Sequence, residues 1–97
     1  MYAVAILRYR RPMEDVLTLV ELHRVYLRKL KEEGILIASG PFVPRTGAAR
    51  LLRVPDESAQ AALDRIRDDD PFTREGMVQN EVWPWAPAIG KADLDRV

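Results

Sequence analysis

The 97-residue chain contains no cysteine. That absence removes disulfides, thiol nucleophiles and Cys-ligated zinc or iron–sulfur centres. Histidine occurs once, as His23, so no His-x₃-His pair can seed a metal site. Neither sign of charge is in excess. Fifteen basic residues face fifteen acidic ones, which argues against a general nucleic-acid binder. The cluster Arg8, Arg10 and Arg11 reads as a solvated strand end. Long apolar runs are missing too, so no segment reaches the length of a membrane span. The opening Met1 to Arg8 is apolar but too short and wrongly flanked for a signal peptide. Glycine is sparse, and Gly40 and Gly47 fit no phosphate-binding loop. The expectation is a cytoplasmic protein with no metal and no other cofactor, bound to neither nucleic acid nor membrane.

What is present is the composition of a globular domain, 47% hydrophobic and 31% charged. One domain over residues 1–97 is expected, with its core in 1–86 and a C-terminal tail in 87–97. The tail is polar after Ile89 and is expected to pack loosely or against a partner.

Tyr2 to Tyr9 reads as a strand with Val4 and Ile6 on one face and Ala5 and Leu7 on the other. Arg10-Arg11-Pro12 ends it, and Pro12 suits the start of a helix. A helix from Pro12 to Glu33 follows, with Glu14 and Asp15 at its positive end and Arg28, Lys29 and Lys31 at its negative end. Gly34 is its stop signal. Ile35 to Val43 and Ala48 to Val54 read as the second and third strands, joined through Pro44, Thr46 and Gly47. Pro55 to Ser58 opens a second helix, with Asp56 or Ser58 as candidate N-cap. Ala59, Ala62, Leu63 and Ile66 form its buried stripe. Asp70-Pro71 ends that helix, and a short helical turn from Pro71 to Glu75 leads into a last strand, Met77 to Trp85. Pro84 suits an edge position. The order β-α-β-β-α-β is that of a ferredoxin-like α+β sandwich.

Two helices cover one face of a four-stranded sheet, yet the first two strands are apolar on both faces. A second copy meeting the open face, sheet against sheet, is the simplest completion. A homodimer is therefore expected.

At about 100° per residue, Val16, Leu19, Val20, Leu27 and Leu30 share one side of the first helix, with His23 near their centre. It is the one side chain whose ordinary pKa lies near neutrality. On the residues alone, His23 reads equally as a core histidine bonded to backbone or tyrosine and as an acid–base group. Asp70 before Pro71 reads first as an N-cap, a role compatible with holding an imidazole through its other oxygen. Ser39, in the second strand, is a candidate for positioning a substrate or the imidazole. Ser39-Gly40-Pro41 reads as well as a strand ending in a kink.

His23 with Leu27 and Leu30 after it, then Gly34, Ser39-Gly40-Pro41, Asp70-Pro71-Phe72 and Val82-Trp83-Pro84-Trp85, in this order and spacing, resemble the YciI-like (YCII-related) family. The resemblance spans the chain from the first strand to Trp85. It implies a ferredoxin-like fold related to the dimeric α+β barrels. It also implies a histidine–aspartate pair in a small cleft, here His23 and Asp70. The family includes dehydrochlorinase-type lyases acting on chlorinated hydroxyquinols, so the resemblance implies cofactor-free lyase or isomerase chemistry on a small, phenolic type of molecule. The rival expectation is a non-catalytic module binding a small ligand or a protein through the same cleft, since no nucleophile stands beside the single histidine.

Trp83 and Trp85 fall on one face of the last strand, to wall a pocket or bury a dimer contact. Phe72 reads as a plug beneath the Asp-Pro turn. An RNA-recognition sheet is excluded, because the strand Ala48 to Val54 has no aromatic residue.

Overall fold

The computed structural model describes residues 1–97. Its sheet has four strands, β1 (Tyr2–Tyr9), β2 (Leu36–Pro41), β3 (Gly47–Arg53) and β4 (Val78–Trp85). They lie in the order β2-β3-β1-β4 with every pair antiparallel. The principal helices are α2 (Val20–Glu32) and α3 (Ala59–Asp69), and three short ones are α1 (Met13–Leu17), α4 (Pro71–Arg74) and α5 (Lys91–Leu94). This is the expected βαββαβ sandwich. β4 is an edge strand, which is why Pro84 is tolerated there.

The period-two pattern of β1 sets the two faces of the sheet. Ala3, Ala5 and Leu7 are at most 2% exposed and join Val16, Leu30, Leu63 and Ile66 in one core beneath the helices. Val4 and Ile6 point the other way and are only half-buried. Leu51 lies opposite Val4 on β3 and Trp83 opposite it on β4, so the open face is apolar at its centre. Trp83 is 60% and Trp85 44% exposed on that face.

The first helical segment is not the single helix expected from Pro12 to Glu33. It breaks at Thr18 and Leu19. The Thr18 hydroxyl donates to the Asp15 carbonyl at 2.6 Å, and the backbone N–H of Leu19 turns to Val16 O at 3.1 Å. A side chain competing for backbone partners in this way ends a helix locally. α2 then starts afresh and ends in a Schellman motif. Ile35 N–H bonds to Leu30 O and Gly34 N–H to Lys31 O, with Gly34 at φ 76°.

Further differences concern β2, the caps and the tail. The pairing of β2 with β3 shifts between Leu36 and Ala38, leaving Ile37 as the extra residue of a bulge. Leu36 and Ser39 therefore both face the helices, where simple alternation would set them on opposite sides. Gly47 begins β3 so close to β1 that a Cβ there would lie 2.0 Å from Leu7 O. Neither expected cap of the second helix operates. Ser58 occupies the N-cap of α3 without a side-chain bond, and Asp56 meets the Met1 amino group instead.

The tail is tied back onto its own chain. α5 folds back on its own sheet, where Tyr2 Oη donates to Asp95 and Arg53 donates to Val97 O. Tyr2 is consequently buried on the otherwise open face. No helix is long and apolar enough to cross a membrane.

Candidate active site

α2 projects His23 toward the C-terminal end of α3, where the chain turns at Asp70. Asp70 is the N-cap of α4, and its Oδ1 accepts from Phe72 N–H at 2.8 Å. The same oxygen lies 3.4 Å from His23 Nδ1. Capping and imidazole holding thus fall on one oxygen, not one on each as the sequence suggested. The reason is Arg50. Its Nη2 stands 2.5 Å from Asp70 Oδ2, and both side chains are sealed, Arg50 at 2% and Asp70 at 0% exposure. A buried guanidinium requires a counter-charge, and Asp70 supplies it. Beyond this contact, Asp70 Oδ2 and Arg50 Nε have no hydrogen-bond partner.

Arg50 Nη2 also lies 3.4 Å from His23 Nε2. Arginine can only donate and an ionised carboxylate can only accept. A neutral His23 between them carries its proton on Nδ1, toward Asp70, and leaves the Nε2 lone pair toward Arg50. The ring stacks on Phe72, with centroids 3.8 Å apart and planes 11° from parallel. A flat aromatic face beside the ring fixes its orientation.

Burial alone would push the Asp70 carboxyl up. The His23 hydrogen bond and the Arg50 charge outweigh it and hold the group below the usual carboxylate range. Tyr26, one turn beyond His23 on α2, donates its hydroxyl to Ile66 O at 2.7 Å. Burial, then the Asp70 and Asp69 charges, push its phenol up. This bond ties α2 to α3 one turn before Asp70, so it sets the spacing of the His23–Asp70 pair.

His23 lines a cavity of about 480 Å³ between α1, α2 and the β2 edge. Val20 and Leu27, from the apolar side of the first helix, line it as well, which is why they are half-buried. Ser39 is in the wall, turned there by the β2 bulge and opposite Arg50 in the strand pairing. Its hydroxyl bonds to neither His23 nor Asp70. Asp70 lies behind the imidazole and does not line the cavity, so it can act on a ligand only through His23. Trp83 and Trp85 are on the far face of the sheet and take no part. The sequence reading missed Arg50. Its signal was a charge between Ala48 and Leu52 at the inward period of β3, where alternation calls for an apolar residue. The imidazole stack of Phe72 had no sequence signal, because residues 23 and 72 meet only in the fold.

No curated protein matches the sequence. Among solved structures, 5-chloro-2-hydroxyhydroquinone dehydrochlorinase from Burkholderia phenoliruptrix, in complex with 2,5-dihydroxybenzoquinone, superposes with a TM-score of 0.75 at 19% identity. The match covers 91% of this chain and 96% of that one, and shows a shared fold. The family model of the YCII-related domain matches residues 2–86, and the chain accordingly belongs to the YCII-related family.

Proposed function

We propose that this protein is a cofactor-independent acid–base enzyme of the lyase or isomerase type, acting on a small phenolic molecule in the His23 cavity. The observation that carries this reading is the bracketing of one imidazole by a buried carboxylate and a cavity. Asp70 fixes the tautomer and stabilises the imidazolium that forms when Nε2 takes a proton. In a dehydrochlorination, a hydroxyl proton first moves to the chlorine-bearing ring carbon, which becomes tetrahedral as a carbonyl forms. Nε2 then accepts a second hydroxyl proton as chloride departs with its bonding pair, so that one proton and one chloride are lost and a quinone remains. Ser39, in the cavity wall, is assigned the role of orienting the substrate. Positioned proton transfer of this kind contributes about 10²–10⁴-fold to rate.

The experiment is an NMR pH titration of the single histidine in wild type and Asp70→Asn. A ring that titrates reversibly in the folded protein, with a midpoint that responds to Asp70, supports the pair. A ring that does not titrate, or is indifferent to Asp70, overturns it. The first substrate to try is 5-chloro-2-hydroxyhydroquinone, with chloride release as readout and His23→Gln as control. One observation favours a second reading. Both imidazole nitrogens already face protein groups, as suits a non-catalytic ligand pocket. A ligand recovered chemically unchanged after binding favours that reading.

We further propose that the chain works as a homodimer, two copies meeting through the open sheet face around Val4, Leu51 and Trp83. These residues form an apolar centre that α5 leaves uncovered.

A further inference from the structure

The cavity that exposes His23 is lined by four cationic side chains and by no carboxylate. The chain as a whole balances fifteen basic against fifteen acidic residues, so composition does not account for this segregation. Arg24, Arg28 and Lys31 recur at four- and three-residue spacing on α2, beside the stripe that carries His23. Arg45 faces them from the β2–β3 connection. Arg24 is paired with Glu21 Oε1 at 3.0 Å, and Lys31 donates to Ile37 O at 3.1 Å. Arg28 and Arg45 form no ion pair with any carboxylate of the chain. Deeper in, the lining is apolar, from Val16, Val20, Leu27, Leu36 and Phe72.

From this arrangement we infer that the pocket selects an amphipathic organic anion, with a ring-sized apolar body against the inner wall and its anionic group at the rim between Arg28 and Arg45. The inference rests on the reading of this cavity as the functional site and narrows its substrate class. A volume of about 480 Å³ is in the range of small-molecule sites, whose few polar groups set orientation and selectivity. A cationic ligand meets like charge on every side of the rim. An inorganic anion leaves the apolar interior unused, and a neutral ring leaves the two free guanidinium groups unused. The forked guanidinium is suited to carboxylate and other planar anions.

The test compares benzoate, benzyl alcohol, benzylamine and inorganic phosphate, following the backbone amide signals of Ser39, Gly40 and Phe72. Benzoate is expected to bind at least about fivefold more tightly than benzyl alcohol, the sum of two exposed charge contacts. Benzylamine and phosphate are expected to bind more weakly than either. In Arg28→Gln/Arg45→Gln, benzoate should fall to the level of benzyl alcohol, which itself should not change. Both arginines are exposed, so the double variant keeps the fold. Equal affinities for benzoate and benzyl alcohol overturn the inference, as does benzoate binding that is unchanged in the double variant. His23→Gln separates this inference from the catalytic reading. Benzoate binding should survive in it, whereas proton-transfer activity should not.

Discussion

Arg50 and Asp70 form an ion pair inside the protein, 2.5 Å apart and both shut off from solvent, directly behind the one histidine. The pair spans β3 and the start of α4, so it joins the sheet to the helical layer where His23 is held. Its energetics are those of a buried charge pair. Losing one partner leaves the other uncompensated.

Asp70→Asn and Arg50→Met should therefore each lower the unfolding free energy by about 3–5 kcal/mol. The double variant should lose less than the sum of the two, because no lone charge remains in the core. Urea denaturation of the four proteins forms the double-mutant cycle. Additive losses would mean that the two side chains do not interact in solution.

Acid sensitivity follows from the lowered Asp70 group. Its folded pKa lies below the unfolded value of about 3.9, so its stabilisation is fully present above that value. As pH falls below about 4, the unfolded chain takes up a proton that the folded one refuses, and stability is lost. Denaturation midpoints should drop across this window in wild type and less steeply in Asp70→Asn/Arg50→Met. Asp56 and Asp95 are also lowered, chiefly by hydrogen bonds from the amino terminus and from Lys91. Both remain in the variant, so the difference in slope belongs to Asp70.

Alkaline behaviour has the opposite sign and a different residue. The Tyr26 phenol is raised above its unfolded value of about 10. Its contribution is complete below that pH and is lost as pH rises beyond it. Tyr26→Phe should cost about 1 kcal/mol near neutrality through the lost bond to Ile66 O. It should also flatten the decline in stability above pH ~10. Equal alkaline slopes in wild type and variant would remove Tyr26 as the cause.

The proposed homodimer predicts that Leu51→Glu, at the centre of the open face, gives a folded monomer. A charge buried between two sheets has no partner there. Sedimentation equilibrium should show a dimer for wild type and a monomer for the variant, with unchanged far-ultraviolet circular dichroism. A wild-type monomer at all accessible concentrations would dispose of the interface.

The strand and helix order was legible in the sequence because it rests on local properties. Alternation in Tyr2–Tyr9 separated Val4 and Ile6 from Ala5 and Leu7 without saying which face lies inward, Gly34 stopped α2, and Asp70-Pro71 marked a cap. Each signal acts within a few residues of chain. His23 stood out as the one near-neutral titrating group, whereas Asp70 by itself read as a cap before a proline and was paired with His23 only through the resemblance to the YCII-related family.

Three features belong to the tertiary structure alone. The bulge at Ile37 turns Ser39 into the cavity, and a register shift depends on the partner strand β3, not on the sequence of β2. Arg50 becomes the counter-ion of Asp70 through burial across twenty residues of chain, so one carboxylate oxygen carries both the cap and the imidazole. The tail folds onto Tyr2 and Arg53 because those side chains converge at one end of the open face. Residue type and period fix what each segment can be. Which distant charges meet, and which nitrogen of His23 faces which partner, is decided when desolvation forces every buried polar group to find a complement.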